Sequence, residues 1–114
     1  MSDTNATRRF PCPWLRGDVE LSEERELHIQ ERHPELLPAY RDKLAEVLAD
    51  PDMIRRSVRA EAARLFSRWY TDVRQGRHVV VVVFSEHDPS ARHWIVTAYT
   101  ARILAAGEIE WHRS

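Results

Sequence analysis

Val79-Val80-Val81-Val82-Val83-Phe84 is six apolar residues in succession, five of them valine. A run of this length without alternation predicts a strand buried on both faces, and therefore a central one. Its flanks are turns by composition: Arg74-Gln75-Gly76-Arg77 before it and residues 86–90 after it. Beyond the first turn, residues 64–71 alternate, with Leu65, Ser67 and Trp69 on one face and Phe66, Arg68 and Tyr70 on the other. Beyond the second, residues 93–100 place Trp94, Val96 and Ala98 on one face and Ile95, Thr97 and Tyr99 on the other. Connections this short require antiparallel neighbours. Residues 53–58 add a strand at the sheet edge, after the turn Asp50-Pro51-Asp52.

Upstream the period changes from two to 3.6. Ser22 is a good N-cap, and Glu23 and Glu24 follow where negative charge suits a helix dipole, so one helix is expected over about 23–32. Leu37, Tyr40, Leu44, Val47 and Leu48 mark a second over about 38–49, the cleanest apolar periodicity in the chain. The expectation is an α+β domain over 19–114, with two N-terminal helices packed on a four-stranded antiparallel sheet. Residues 1–18 read as a flexible or extended leader, with Phe10 and Trp14 as surface anchors around the stiff Pro11-Cys12-Pro13. Residues 101–106 suggest a helical turn closed by Gly107, and Ile109 and Trp111 a short edge strand.

Composition narrows the function classes. The 114 residues carry 43% apolar and 31% charged side chains and a formal charge of −1, ordinary for a globular protein. No global positive field advertises nucleic acid, although a local basic cleft fits inside a balanced total. No apolar run is long enough to span a membrane. A single cysteine, Cys12, permits no internal disulfide, which points to the cytoplasm and to a structural thiol. No two of the three glycines are close enough to form a phosphate loop. The six histidines lack metal-ligand spacing: His28 and His33 are five apart, and the position four after His28 is the cation Arg32. No metal and no cofactor is expected.

The chemistry-bearing stretch is His28-Ile29-Gln30-Glu31-Arg32-His33-Pro34-Glu35. At about 100° per residue, His28 and Arg32 lie roughly 40° apart on one helical face. That face also holds Arg25, Ile29 and Leu36, so it is less aliphatic than a core stripe. His33 falls at the helix end, forced by Pro34. Two readings stand side by side: a solvated surface helix, or a pair of side chains working in a cleft. Joined to Thr97 and Tyr99, and to Arg68 and Tyr70 as substrate contacts, the set fits transesterification of RNA by its own 2′-OH. His28 and His33 are then proton-transfer groups. Arg32 is a phosphate clamp, and Thr97 and Tyr99 bond phosphate oxygens.

In order along residues 21–107, the His28…Arg32-His33-Pro34-Glu35 helix, the Asp50-Pro51-Asp52-Met53-Ile54 segment, the valine strand and Ile95-Val96-Thr97-Ala98-Tyr99 resemble the phage-associated branch of the barnase–EndoU–colicin–RelE-like nucleases. The resemblance implies two helices on one face of a four-stranded antiparallel sheet. It also implies metal-independent RNA cleavage, in a toxin or phage-conflict effector with an antitoxin or immunity protein as partner. The positions that match are His28, Arg32, His33, Thr97 and Tyr99. A non-catalytic module holding an anionic ligand or a partner protein in the same cleft is the alternative. The near-neutral charge departs from the basic character of many ribonuclease toxins.

Overall fold

A computed structural model describes residues 7–86 and 91–114. One mixed sheet of seven strands dominates it: β1 (Thr7–Cys12), β2 (Gly17–Ser22), β3 (Met53–Arg56), β4 (Ala63–Tyr70), β5 (Arg77–Ser85), β6 (His93–Ala101) and β7 (Glu108–His112). Their order across the sheet is β1-β2-β6-β5-β4-β3-β7. The valine strand β5 is the middle one, antiparallel to β4 and β6. Val79, Val81 and Val83 enter the main core, while Val80, equally buried, lies under the opposite face.

Two short helices, α1 (Glu23–Arg32) and α2 (Arg41–Ala49), cover the first of these faces. Ser22 caps α1 by accepting the Arg25 amide at 3.1 Å. Only Ile29 and Glu26 of α1 are buried, and Leu27 stays 54% exposed. α2 buries Leu44, Val47 and Leu48, and Leu36 and Leu37 ahead of it are also fully buried.

The expected two helices on a four-stranded antiparallel sheet are therefore corrected: the fold is mainly β, with seven strands in one mixed sheet and two short helices. Of the three additional strands, β7 coincides with the short edge strand expected at Ile109 and Trp111, while β1 and β2 were hidden for separate reasons. β1 contains Pro11 and two arginines, a composition tolerated only at a sheet edge, where no ladder donor is needed. It is nevertheless no leader, because Phe10 and Cys12 sit in the core. A tight 3-10 turn, Pro13–Leu15, with Arg16 left-handed at φ 60°, folds it back onto β2. β2 gives little alternation, and what anchors it is a remote parallel pairing of Val19 with His93 and Glu20 with Trp94. β7 joins the far edge against β3, so β3 is interior rather than the edge strand expected. The helical turn expected over 101–106 is absent, and 102–107 is an irregular crossover from β6 to β7.

One buried ionic cluster ties the edge to the helices. Glu26, 7% exposed, accepts from Arg8 of β1 at 2.9 Å and from Arg41 of α2. Burial pushes its carboxyl up, but the two arginines together outweigh this and hold its pKa below the ordinary value. A depressed folded pKa stabilises above the unfolded value, near 4.3, and that contribution is lost as pH falls through the folded pKa. Glu26→Gln should therefore flatten the acid limb of a stability-versus-pH curve below about pH 4.5. An acid limb as steep as that of the parent would refute the assignment. At neutral pH the change should lower stability by about 1–3 kcal/mol, since it leaves two half-exposed arginines without their anion.

Candidate functional site

The sheet face turned away from the helices gathers polar and aromatic side chains. By register and alternation it carries Arg55 of β3, Trp69 of β4, His78 and Val80 of β5, and Thr97 and Tyr99 of β6. Tyr99 is opposite Val80, and Thr97 opposite Val82. β2 pairs β6 only as far as Trp94, and α1 packs against β6 as well as β2. The C-terminal end of that helix thereby brings His33 to the strand edge, its ring 6.1 Å from that of Tyr99. His33 also faces Glu35, at 3.4 Å.

Arg55 is the unusual member. It is 2% exposed, and its Nη1 donates to the carbonyl of Ala105 in the crossover segment. Nε and Nη2 are buried without a hydrogen-bond partner among the described residues. Burial holds its pKa below the ordinary arginine value; the adjacent Tyr99 phenol opposes this, without completing a bond of normal geometry to either orphan nitrogen. His78 lies within electrostatic reach of the same guanidinium. Burial first, and Arg55 as well, keep this imidazole's pKa below its usual value, while Asp52 pulls the other way. His78 meets the Trp69 ring edge-on at 4.9 Å, and Trp69 remains 43% exposed.

The β4–β5 end of the sheet carries several arginines, with Arg77 and Thr100 on the Val79 side of the sheet by alternation. The β4–β5 turn has three successive residues at positive φ, Arg74 at 48°, Gln75 at 65° and Gly76 at 111°. Arg77 donates to the carbonyls of Arg74 and Gly76 at 2.9 and 2.7 Å, and Arg74 to Thr100 Oγ1 at 3.3 Å. Partial desolvation, and then the charges of Arg102 and Arg74, lower the Arg77 pKa. No described carboxylate pairs with any of the three. Other arginines are matched, among them Arg56 and Arg64 with Glu110 and Arg92 with Glu20. The balanced total thus conceals a local excess of positive charge.

Gly76 positions the exposed tryptophan. A Cβ there would meet the Trp69 ring at 2.9 Å, at a φ that side chains rarely adopt. Gly76→Ala should cost about 1–3 kcal/mol and shift the Trp69 fluorescence. An unchanged melt and spectrum would mean that the turn does not support the ring.

The residues singled out from sequence divide into two groups. His33, Thr97 and Tyr99 are brought to one face. His28 and Arg32 are exposed on α1, and no described contact joins them to Tyr99 or Thr97. His28 borders a shallow depression with Glu23, Glu24, Leu27 and Glu31, whose acidic wall would repel a phosphate. Arg68 and Tyr70 point to the helix-covered side. Arg68 is tied to Asp50 at 3.2 Å and lies over the Tyr70 ring. Tyr70 is 8% exposed and donates to Glu46 at 2.9 Å; burial first, then that carboxylate, push its pKa far up. Both are engaged in these contacts on the helix-covered side rather than gathered with Thr97 and Tyr99.

Arg55, Trp69, His78, Arg74, Arg77 and Arg102 were not singled out. The available signal was a charged pair, Arg55-Arg56, inside an otherwise strand-like segment, and a turn whose arginines were read only as turn formers. Among the described residues no three His, Cys, Asp or Glu side chains converge as metal ligands. No described helix is long and apolar enough to cross a membrane. Comparison with family models, curated proteins and solved structures finds no match, so the functional reading rests on this geometry.

Proposed function

We propose that this chain binds single-stranded RNA around the arginine-bearing β4–β5 end of its sheet and cleaves it without a metal ion. The observation that carries the reading is the cluster of Arg74, Arg77 and Arg102, free of described carboxylate partners, around the turn whose Gly76 abuts the exposed ring of Trp69. Clustered guanidiniums track a phosphate backbone, and an exposed aromatic face stacks on a base of any identity. A single strand fits a flat sheet face where unstacked bases can lie down.

The cleavage step uses the side chains flanking Tyr99. The 2′-OH attacks the adjacent phosphate, so a neutral imidazole must take its proton, and a protonated group must return one to the departing 5′-oxygen. His78, with its lowered pKa, suits the first role at neutral pH. His33, beside Tyr99, suits the second. In this reading the hydroxyls of Thr97 and Tyr99 bond the phosphate oxygens. A cytoplasmic setting agrees with a lone, buried thiol at Cys12. Action as a toxin restrained by an antitoxin or immunity protein belongs to the same proposal, and growth arrest on expression tests it.

Fluorescence anisotropy with a short oligoribonucleotide tests the binding. Combined Arg74→Gln, Arg77→Gln and Arg102→Gln should weaken binding, and should reduce the salt slope of log K by about 2, at roughly 0.7 per phosphate contact on a single strand. An unchanged slope, or no binding by the parent at low salt, would remove the reading.

A non-catalytic module using the same face is the second reading. What favours it is the loss of His28 from the site, which leaves proton transfer to His33 and His78 alone. Intact RNA after long incubation with the protein, under conditions where it binds, would decide for that alternative.

A further inference from the structure

The chemistry of Arg55 carries the binding reading one step further, to a defined point of attachment. Of its nitrogens, Nη1 is used by the Ala105 carbonyl, while Nε and Nη2 have no described partner. Those two are not an arbitrary pair. Their N–H bonds point the same way from one edge of the guanidinium, forming the fork that grips two oxygens of one oxyanion with parallel bonds. An arginine buried to 2% exposure, with only the Tyr99 phenol near that fork and no hydrogen bond of normal geometry to it, carries a large desolvation penalty and no compensating anion. No described carboxylate pairs with it. Tyr99 and His78, both within electrostatic reach, add a hydroxyl and an imidazole around the same point.

We infer that Arg55 is the anchor for a phosphoryl oxyanion, which enters as the crossover segment 102–107 lifts and is held bidentately by Nε and Nη2. The segment fits this part. It lies outside any helix or strand and leaves Ile103 84% exposed. It also rests directly on Arg55, since a Cβ on Gly107 would meet the Arg55 Cβ at 3.3 Å. The position of Arg55 on the face of Tyr99, rather than on the helix side, places the anchored phosphoryl group at the cleavage site. The inference rests on the proposed RNA reading only for the identity of the phosphoryl donor. A free phosphate and a backbone phosphodiester present the same two oxygens.

The test is titration calorimetry of the full chain with two probes, inorganic phosphate and an oligoribonucleotide lacking terminal phosphates. Thermal melts of each variant are run alongside. Arg55→Lys keeps the charge and loses the fork; it should weaken binding of the probe by about ten- to hundredfold, the effect expected for charge-assisted hydrogen bonds. Arg55→Met removes an uncompensated buried charge, so it should melt at or above the parent temperature while losing binding. Binding rather than melting is the primary readout, because phosphate raises the melting temperature of proteins in general. Response to phosphate alone identifies a free anion as a sufficient ligand; response only to the oligonucleotide assigns the phosphodiester. The inference is overturned if neither probe binds, if Arg55→Lys binds as the parent does, or if Arg55→Met melts several degrees lower with binding retained. Failure of the RNA reading looks different: phosphate still binds through Arg55, but the oligonucleotide does not.

Discussion

Val81→Asp should abolish the cooperative thermal transition. Val81 is fully buried in the middle strand, opposite Phe66 on β4 and Ala98 on β6, both equally buried. The side chains facing Val81 across both ladders are apolar and offer a carboxylate no partner. Arg64 and Arg68, the cations on the helix side of β4, already hold Glu110 and Asp50. An unpaired buried charge costs several kcal/mol, and protonating it instead leaves an unbonded acid in an apolar cavity. Against a total stability of roughly 5–15 kcal/mol, that loss is enough to unfold the domain. Val82→Thr, one residue on and only partly buried beneath the open face, should cost no more than about 1 kcal/mol. Circular dichroism melts on the two variants compare the faces directly. A folded Val81→Asp protein with a normal transition would show that the middle of the core lies elsewhere.

His33→Ala should leave the fold and RNA affinity intact while lowering the cleavage rate by about 10²–10⁴-fold, the range for removal of a general acid or base. The helix end does not depend on the side chain, because it is the backbone N–H of His33 that caps α1 by donating to Ile29 at 2.7 Å. What the substitution removes is the imidazole beside Tyr99. His78→Ala should be comparably damaging, and the double variant little worse than the weaker single, since groups acting as a unit are not additive. The acid limb of the pH–rate profile should have its midpoint below the ordinary imidazole value of about 6.5, because His78 must be neutral to accept a proton and its pKa is lowered. The profile should be unaltered by EDTA. His28→Ala and Arg32→Ala, on the outer side of α1, should leave cleavage unchanged. Strong loss of activity in either of those, with His33→Ala active, would move the site onto the helix surface and away from Tyr99.

The local rules that generated α1, α2 and the β3–β6 strands are visible in the chain itself. Ser22 followed by acidic residues starts a helix, Pro34 ends it, and five valines in a row have no alternative to a doubly covered strand. His33, Thr97 and Tyr99 were legible as candidates because polar groups stood where aliphatic ones would have sufficed. Pairing across the chain was not legible. β1 and β2 pair with each other, and β2 also with β6 more than 50 residues away, so their own composition carries little signal, whereas only the pairing of the expected β7 with β3 was not legible. The same holds for the site. Whether a helical imidazole faces Tyr99 or solvent depends on how far β2 extends along β6 before α1 begins. A pattern of 3.6 residues per turn separates His28 from His33 by angle but does not say which angle meets the sheet. Arg55 depends still more on context: in sequence it is one of two adjacent strand arginines. Burial arises only because β6 and β7 lie on opposite sides of β5, β4 and β3, which forces residues 102–107 across the sheet and over that one guanidinium. Short-range sterics and hydrophobic periodicity thus determined which segments would be helix or strand. Long-range strand order, which no local pattern encodes, decided which charges would be paired, exposed or enclosed.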